Sequence, residues 1–324
     1  MNIALFTDRW ALKAPFATSR ETVSHIDTLR VELQADGCRG RSEALGVDYH
    51  AENPQTMREQ IEAVREELEA GFDHEGLLEL LPAGGARNAL DCALWDLRAR
   101  QTGQRVWQLL GREVAPLTTV YTISLASLDD MVEQARQSAT LPALKIKLDE
   151  DQADAKIRAI RAACPHAELV IDANGAWTGT LLDQLADTLR ACRVAMVEQP
   201  LPAGEDDALD GLAYPVTLCA DESCQDSGDL EAVTRRYSMV NIKLDKSGGL
   251  TEALRMVEWC RAHDMAFMVG NMLGSSLAMA PAFIAAQGAR FVDLDGPLWQ
   301  REDHRPAMRF DNGTVYAPET ELWG

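Results

Sequence analysis

The chain has 324 residues, of which 46% are hydrophobic, and its formal net charge is −20. This length suits two domains, or one barrel with an attached unit, and the composition is that of an ordinary globular protein. The acidic excess argues against a nucleic-acid-binding surface and against an anionic membrane surface as partners.

The first third of the chain is predicted to form strands and then helices. Residues 28–33 alternate apolar and polar side chains, and Asp36-Gly37 is a tight-turn signal before the next strand. Residues 58–70 are charged and periodic, and residues 82–100 carry an apolar stripe. Strands followed by helices, without alternation, predict a separate α+β unit.

From about residue 117 onward, short apolar runs alternate with helical segments. The predicted strands are 118–124, 143–148, 168–173, 194–199, 216–221, 239–244, 265–270 and 290–295. Eight strands with seven intervening helical segments predict a closed parallel (β/α)7β TIM-like barrel. An open doubly wound sheet is the alternative, but no glycine-rich dinucleotide fingerprint follows the first strand. We predict an N-terminal unit over 1–113, completed by 300–324, and a barrel over 114–299.

Two lysines stand at alternate positions in the second predicted barrel strand. Lys145 and Lys147 lie on one face of it, because successive side chains of a strand point to opposite faces. Their mutual repulsion at a half-buried site predicts a lysine with a lowered pKa, able to act as a base. The alternative is two lysines at the water-facing end of an edge strand, since buried lysines are rare.

Charged residues also end the next four strands. Asp172, Glu198, Asp221 and Lys243 follow Lys147 in successive steps of 22 to 26 residues, each step being one strand and its connection. Because barrel enzymes place their chemistry at the C-terminal ends of strands, we expect these side chains at one level of the barrel mouth. Three converging carboxylates without histidine or cysteine predict a Mg²⁺ site, in which Mn²⁺ can substitute. Each carboxylate alone would more simply be a helix N-cap.

The two lysine-bearing strands would lie on opposite sides of this metal. A base on each side of a bound substrate suits a racemase or epimerase, in which one removes a proton next to a carboxylate and the other returns it on the opposite face. The metal would stabilise the enolate formed between these steps. A non-catalytic binding barrel is the alternative of another class, but it would not need both lysines and all three carboxylates in phase.

Several motifs resemble those of the enolase superfamily, in its muconate-lactonizing-like subgroup. They are Lys145-Ile-Lys147, Ile171-Asp-Ala-Asn174, Val197-Glu-Gln-Pro-Leu-Pro202, Ala220-Asp-Glu-Ser223 and Asn241-Ile-Lys-Leu-Asp-Lys-Ser-Gly-Gly249. A lysine or histidine base combined with Mg²⁺ is an established pattern of that superfamily. The resemblance implies an enolase-like fold, in which an N-terminal α+β capping domain covers the barrel.

The resemblance also implies a role for each of these charged residues. Asp172, Glu198 and Asp221 would bind one Mg²⁺ per subunit. Lys147 and Lys243 would be the acid/base residues, and Lys145 would support Lys147 and the substrate carboxylate. Lys246 is the rival of Lys243, and Glu222 is the rival of Asp221; both are out of phase with the strand alternation.

Two further stretches are similar to those of dipeptide epimerases of the L-Ala-D/L-Glu kind, namely residues 81–97 and Asp293-Leu-Asp295-Gly-Pro297. The resemblance implies that Asp293 and Asp295 hold the free ammonium group of the dipeptide, and two carboxylates without a metal suit such a cation. A solvated pair of strand-end aspartates is the alternative. Arg20 stands where family members place an arginine for the carboxylate of the glutamate side chain; a surface arginine on a loop is the alternative. The loop 40–50 departs from better-known enterobacterial members and leaves the exact dipeptide open.

We therefore expect a Mg²⁺-dependent isomerase that epimerises a dipeptide, with L-Ala-D/L-Glu favoured, and a place in murein peptide recycling. Alternatives within the superfamily are o-succinylbenzoate synthase, N-acylamino acid racemase and cycloisomerase. An acylated substrate carries no cation, so Asp293 and Asp295 argue against the acyl versions.

Cysteine content and the N-terminus favour a cytoplasmic location. The seven cysteines are scattered without a CxxC pair, which is typical of reduced thiols. Residues 1–10 lack a signal-peptide pattern, and the longest apolar run, 277–286, is too short to span a bilayer. We expect no nucleic-acid or membrane partner, and the composition neither requires nor forbids a homo-oligomer.

Overall fold

An antiparallel sheet opens the computed structural model, which describes residues 1–324. Strands β1 (Asn2–Ala17), β2 (Thr22–Ala35) and β3 (Cys38–Ala44) pair in that order. The turn between β2 and β3 contains Asp36 and Gly37, which both have positive φ, 52° and 75°. The predicted tight turn is therefore confirmed, because a two-residue hairpin needs this left-handed backbone.

Five helices follow the sheet and confirm the prediction of a helical region. They are α1 (Pro54–Ala63), α2 (Arg65–Ala70), α3 (His74–Leu80), α4 (Gly85–Thr102) and α5 (Val106–Leu109). The side chains of Asn53 and Asp73 accept backbone amides at the starts of α1 and α3, as N-cap residues do. The sheet packs on α4 through one buried apolar cluster that is separate from the barrel core.

Eight parallel strands form the second unit, in sequential order. They are β5 (Tyr121–Ile123), β6 (Ala143–Lys147), β7 (Glu168–Asp172), β8 (Val194–Glu198), β9 (Thr217–Ala220), β10 (Met239–Lys243), β11 (Ala266–Gly270) and β12 (Phe291–Val292). The amide of Val120 donates to the carbonyl of Val292 at 2.8 Å and joins the first strand to the last. The predicted enolase-like barrel is confirmed, with strands shorter than predicted because their end residues enter loops.

Helices α6 to α13 connect the strands or follow them. They are α6 (Leu128–Gln137), α7 (Ala153–Ala163), α8 (Gly179–Ala191), α9 (Leu230–Val233), α10 (Leu244–Ser247), α11 (Leu250–Ala262), α12 (Ser276–Ala285) and α13 (Gly296–Trp299). One connection differs from the prediction of a helical segment after every strand. Between β8 and β9 only a 3-10 turn, Asp206–Leu209, is formed. Two glycines with positive φ, Gly204 and Gly211, break regular structure there.

The interior of the barrel is layered by strand alternation. Each strand contributes one apolar side chain, Val120 and Phe291 among them, to a cluster that closes the barrel floor. Two residues further along, the same inward face carries a polar group in seven of the eight strands, whereas β11 has Gly270 there. These groups are Thr122, Lys145, Asp172, Glu198, Asp221, Asn241 and Asp293, all buried. An apolar floor beneath a charged layer therefore defines the barrel mouth.

The C-terminal segment returns to the first half of the chain. Strands β13 (Phe310–Asp311) and β14 (Thr314–Val315) form a hairpin that pairs with β4 (Leu117–Thr118). The indole of Trp323 donates to the carbonyl of Cys92 in α4 at 3.0 Å. The guanidinium of Arg105 binds the carbonyl of Pro318 at 2.7 Å. These contacts are consistent with the predicted completion of the N-terminal unit by 300–324; the domain boundaries themselves stay a prediction.

The cysteines bear on the prediction of reduced thiols. All seven cysteines are free, which agrees with the prediction of reduced thiols. None of the helices combines the length and the apolar character needed to traverse a lipid bilayer.

We expect Gly40→Ala to destabilise the fold, because β3 packs directly on α4 at this glycine. An added Cβ would lie 2.3 Å from the carbonyl oxygen of Ala93, which is backbone and cannot turn aside. The cost should be about 1–3 kcal/mol of unfolding free energy, measured by urea denaturation. The control is Gly179→Ala, where a Cβ meets nothing within 4 Å. Equal denaturation midpoints for the two variants would contradict the analysis.

Candidate active site

A cavity of about 310 Å³ lies at the C-terminal ends of the barrel strands, below loops of the N-terminal unit. The barrel contributes Thr122, Lys145, Lys147, Asn174, Lys243, Asn271, Asp293 and Asp295 to its lining. The N-terminal unit contributes residues from two stretches, 16–27 and 45–54. The structure thus brings Arg20 and five predicted barrel residues into one cavity between the two units, namely Lys145, Lys147, Lys243, Asp293 and Asp295.

The ammonium group of Lys145 is the centre of a buried ion-pair network. Its Nζ lies 3.0 Å from Asp172 Oδ2, 2.8 Å from Glu198 Oε2 and 2.8 Å from Asp293 Oδ2. The lysine is only 2% exposed. A charge buried this deeply is tolerated only when it is paired, so Lys145 and the carboxylates depend on one another. The alternative of two lysines facing water is excluded for Lys145.

Lys147 and Lys243 each face a carboxylate at the edge of this network. Lys147 Nζ lies 2.7 Å from Asp172 Oδ2 and 3.1 Å from Asn174 Oδ1. Lys243 Nζ lies 2.7 Å from Asp221 Oδ2. The two lysines come from β6 and β10, which are four strands apart in the eight-stranded barrel and therefore on opposite sides of it. Both line the cavity.

Lys246, the rival of Lys243, is placed differently. Its ammonium pairs with Asp221 Oδ1 at 2.7 Å and donates to the carbonyl of Cys224 at 2.7 Å. Lys246 is fully buried and does not line the cavity. Lys243 is therefore better placed to meet a substrate, whereas Lys246 supports the loop after β9.

Burial and the carboxylates oppose each other in setting the lysine pKa values. Burial by itself lowers the pKa of Lys145, but Asp172, Asp293 and Glu198 raise it to well above the ordinary value. Burial likewise lowers the pKa of Lys243, and Asp221 with Glu198 raises it more. The prediction that lysine–lysine repulsion lowers the pKa is therefore wrong for Lys145, since three carboxylates outweigh the neighbouring lysine.

The carboxylates of the network divide into two kinds. Burial favours the neutral form of Asp172 and Asp221, but the adjacent lysines lower the pKa of both below the ordinary value. For Glu198, burial and the charge of Asp172 raise the pKa to about 7. The network thus combines two carboxylates held in the charged form with one, Glu198, that binds a proton more readily.

The donor set of the network suits a divalent cation. Glu198 Oε2 and Asp221 Oδ1 are buried oxygens without a hydrogen-bond donor, although each lies within 2.8 Å of a lysine Nζ in poor hydrogen-bond geometry. No three acidic, histidine or cysteine side chains are gathered round one point, because Lys145 lies between the carboxylates. A donor set made of carboxylate oxygens alone fits Mg²⁺. A cation here would replace the contacts of the Lys145 ammonium with Asp172 and Glu198.

Asp293 and Asp295 line the cavity from the segment that follows β12. Asp293 is paired with Lys145, and Asn271 Nδ2 lies 3.2 Å from its Oδ1. Asp295 Oδ2 accepts the amide of Thr122 at 2.7 Å and lies 3.4 Å from the indole nitrogen of Trp299. Burial and the charge of Asp293 raise the pKa of Asp295 to about 7. The alternative of a solvated pair is excluded, because both aspartates are buried.

Arg20 reaches the barrel from the loop between β1 and β2. Its Nη1 lies 2.5 Å from Glu222 Oε1, and its Nε lies 3.9 Å from Asp48 Oδ2. The guanidinium also stands 5.1 Å from the centre of the Tyr49 ring. Arg20 therefore joins the two units at the cavity edge instead of lying free on the surface. Glu222, considered as a rival of Asp221, is the partner of Arg20 here.

Two polar residues of the site were not predicted. Asn241 Nδ2 donates to Glu198 Oε1 at 2.7 Å and orients that carboxylate. Asn174 contacts both Lys147 and Glu222. Asn241 could have been found, because it stands two residues before Lys243 and shares its inward face. Asn174 follows Asp172 in the same way, but its contacts across the mouth depend on the folded barrel.

Two family descriptions match the chain. Residues 129–321 match the enolase C-terminal domain-like family. Residues 1–111 match the N-terminal domain of mandelate racemase / muconate lactonizing enzyme.

Individual relatives cover nearly the whole chain. The L-Ala-D/L-Glu epimerase of Escherichia coli K12 is 40% identical, over 97% of this chain and 99% of that protein. The N-acetyl-D-glutamate racemase of a Pseudoalteromonas species is 39% identical, over 88% of this chain and 91% of that protein.

Two solved structures share the fold, with sequence identities of 40% and 28%. An enolase family member from Agrobacterium tumefaciens, with bound sodium and L-Ala-L-Glu, has a TM-score of 0.97 at 40% identity and covers 99% of both chains. The dipeptide epimerase of Methylococcus capsulatus, complexed with Mg and L-Arg-D-Lys, has a TM-score of 0.90 at 28% identity. It covers 98% of this chain and 97% of that one.

We expect Asp295→Asn to stabilise the protein increasingly as the pH rises from about 4 to 7. The folded-state pKa of Asp295, about 7, exceeds the ordinary value of 3.8, so the folded state holds a proton that the unfolded state releases in this window. The unfolding free energy of the wild type therefore falls by about 1.4 kcal/mol for each pH unit between these two pKa values, and asparagine removes this loss. Urea denaturation across the pH range measures it.

The control for this experiment is Asp187→Asn, whose carboxylate is 89% exposed. It should leave the pH dependence of stability unchanged. A stability difference between wild type and Asp295→Asn that stays constant from pH 4 to 8 would show that Asp295 has no raised pKa.

Proposed function

The chain belongs to the mandelate racemase / muconate lactonizing enzyme family, with an enolase-like C-terminal domain, and from this premise we propose that it is a Mg²⁺-dependent dipeptide epimerase. The observation that carries the proposal is the placement of Lys147 and Lys243 on opposite sides of one cavity that also contains Asp293 and Asp295. Two opposed bases suit inversion at a carbon, and a pair of aspartates suits a substrate with a free ammonium group.

Asp172, Glu198 and Asp221 would hold the metal ion. They are three of the four buried carboxylates that Lys145, Lys147 and Lys243 contact, the fourth being Asp293. When bound, Mg²⁺ would offset the carboxylate charge that raises the lysine pKa values and would stabilise negative charge developing on the substrate carboxylate. The Mg complex of the Methylococcus capsulatus relative supports this choice of metal.

Lys147 and Lys243 would exchange the α-proton of the C-terminal residue of the dipeptide. One lysine, in its neutral form, removes the proton from one face, and the other, as an ammonium, delivers a proton to the opposite face. Asp172 and Asp221 fix the two Nζ atoms by hydrogen bonds of 2.7 Å each, so both amines are aimed before a substrate arrives. Lys145 is held too tightly to act as a base and would carry the substrate carboxylate.

The aspartate pair and Arg20 would bind the two ends of the substrate. Asp293 and Asp295 would bind the N-terminal ammonium, and burial strengthens this pairing. Arg20 would bind the side-chain carboxylate of a second residue such as glutamate, using the guanidinium nitrogens not paired with Glu222. L-Ala-D/L-Glu is therefore the favoured substrate, and the bound L-Ala-L-Glu of the Agrobacterium tumefaciens relative supports it.

Racemisation of an N-acylated glutamate is the second candidate. It is favoured by the 39% identity to the N-acetyl-D-glutamate racemase of Pseudoalteromonas. The same lysines and metal would serve, and Arg20 would bind the same side chain. The buried Asp293 and Asp295 count against it, because an acyl group offers them no positive charge.

The cellular setting follows from the substrate. An enzyme acting on L-Ala-D-Glu would work in the recycling of murein peptides. The seven free cysteines support a reducing, cytoplasmic location. A homo-oligomer stays a possibility that the composition neither requires nor forbids.

We expect the protein with Mg²⁺ in D₂O to incorporate deuterium at the α-carbon of the second residue of L-Ala-L-Glu and to form L-Ala-D-Glu. NMR follows both events, and chelation of the metal should stop them. L-Ala-L-Met and N-acetyl-L-glutamate are the comparison substrates, lacking the side-chain carboxylate and the ammonium respectively. Faster racemisation of N-acetyl-L-glutamate would favour the second candidate, and no exchange on any substrate would refute the proposed function.

We expect Lys147→Ala and Lys243→Ala each to lower the rate of epimerisation by about 10²–10⁴-fold, because a missing acid/base group leaves one face without proton transfer. Each variant should still exchange deuterium into the enantiomer whose α-proton faces the remaining lysine. Lys13→Ala is the control, since its Nζ contacts only the carbonyl of Leu298 outside the cavity. Full activity in either cavity variant would disprove the two-base mechanism.

A further inference from the structure

One wall of the cavity is formed by the loop between β3 and α1, residues 45–53. Leu45, Gly46, Asp48 and Glu52 of this loop line the cavity together with the two proposed acid/base lysines. The only regular structure in the loop is one 3-10 turn at Asp48–His50. Its position is therefore set by individual contacts, which can be identified one by one.

The base of this loop is held by a single carboxylate of the barrel. The amides of Leu45 and Gly46 both donate to Oδ1 of Asp245, at 3.0 and 2.9 Å. Asp245 itself is only 6% exposed and does not line the cavity. Two backbone donors sharing one buried carboxylate oxygen fix both the position and the direction of the chain at this point.

Asp245 stands at a fixed place relative to the proposed base Lys243. It is the second residue of α10, the short helix that begins directly after Lys243 ends β10. The carbonyls of Ser247 and Gly248, which end α10, accept hydrogen bonds from the guanidinium of Arg87. The short helix is thus tied to the strand at one end and to the N-terminal unit at the other.

The carboxylate of Asp245 does not serve its own helix. No side chain caps the start of α10, whose N-cap is Lys243. The hydrogen bonds that Asp245 accepts from the backbone come from the distant loop, about two hundred residues away in sequence. Local stabilisation of α10 therefore does not explain why a carboxylate is buried here.

Close packing leaves the base of the loop little freedom to move. Gly46 has φ 82°, and a Cβ on Gly85 at the start of α4 would lie 2.6 Å from its Cα. Glu52 closes the loop by accepting the amides of Val47, at 2.9 Å, and Gly85, at 3.0 Å. Because van der Waals contact alone does not fix direction, the hydrogen bonds to Asp245 orient the segment.

Residues of this loop contact the guanidinium group of Arg20. Asp48 lies 3.9 Å from the Nε of Arg20, and the ring of Tyr49 lies beneath its guanidinium. Tyr49 is in turn joined to Gln225, in the loop after β9, by hydrogen bonds of 3.3–3.4 Å. A displacement at residues 45 and 46 would therefore move the neighbours that hold Arg20.

We propose that Asp245 is a positioning residue, which fixes the loop 45–53 against the strand that carries Lys243 and thereby sets the binding of the second substrate residue. The inference rests on the proposed function and deepens it. Asp245 touches neither substrate nor metal in this scheme; it acts through Leu45, Gly46 and the loop that follows them.

The test compares Asp245→Ala with Asp245→Asn in the full chain with Mg²⁺. Alanine removes the acceptor, so the amides of Leu45 and Gly46 should exchange hydrogen at least about tenfold faster. KM for L-Ala-L-Glu should rise roughly tenfold or more, while kcat stays within about threefold. Asparagine keeps one oxygen that both amides can reach, and it should restore the exchange protection and most of the affinity.

Three controls separate positioning from general stability. Asp73→Ala removes a similar carboxylate–amide bond, to Gly76 in α3, and should leave KM unchanged. Mg²⁺ affinity should be the same in all variants. KM for L-Ala-L-Met should change less than KM for L-Ala-L-Glu, because only the latter engages Arg20 in this scheme. If Asp245→Ala does not fold, Asp245→Ser replaces it, since its shorter side chain cannot reach the two amides.

Two results would overturn the inference and one would overturn its premise. Unchanged amide exchange at residues 45 and 46 in Asp245→Ala would show that the carboxylate does not hold the loop. Faster exchange with an unchanged KM would show that the loop position does not matter for binding. Wild-type protein without activity on any dipeptide would instead refute the proposed function, and the exchange measurement would still report on Asp245.

Discussion

Burial of charge inside a closed barrel is the constraint on which the rest of this structure depends. The inward face of the strands carries lysines and carboxylates directly above an apolar floor. A single charge there would cost several kcal/mol, so each is stable only through its partners. Lys145 shows this most clearly, with three carboxylates within 3.0 Å of its Nζ. The same network gathers several carboxylate oxygens in one buried place, which suits a divalent cation.

The chemistry and the selectivity of the site come from different parts of the chain. Barrel strands supply the groups that would bind metal and move protons, and their rigid ladder fixes the spacing of those groups. Loops of the N-terminal unit supply the outer wall and Arg20. These loops are joined to the barrel by Arg20 with Glu222 and by Asp245 with the amides of Leu45 and Gly46. Changes in substrate preference can therefore arise at these contacts between the loops and the barrel while the reacting groups stay in place.

Much of the fold was predictable because its signals are local. The antiparallel sheet, the helices of the N-terminal unit and the eight barrel strands follow from alternation and helical periodicity. The helix expected between β8 and β9 is absent, since residues 202–215 contain prolines and glycines that stop it. The lowered lysine pKa was also wrong for Lys145. The neighbouring lysine is visible in the sequence because it lies on the same strand. The distances from Lys145 to the carboxylates of other strands are set only by the folded barrel.

The sequence by itself determined which residues face into the barrel and at what level, because a period of two along each strand and one repeat of 22 to 26 residues per strand are local properties. That was sufficient for the fold, the family resemblance and a candidate set of carboxylates and lysines. Only the tertiary structure decided how those charges pair, that Glu222 receives Arg20, that Asn241 orients Glu198, and that Asp245 holds a loop two hundred residues earlier in the chain. Electrostatic and hydrogen-bond partners depend on distances of a few ångströms between segments remote in sequence, and no local pattern encodes those distances.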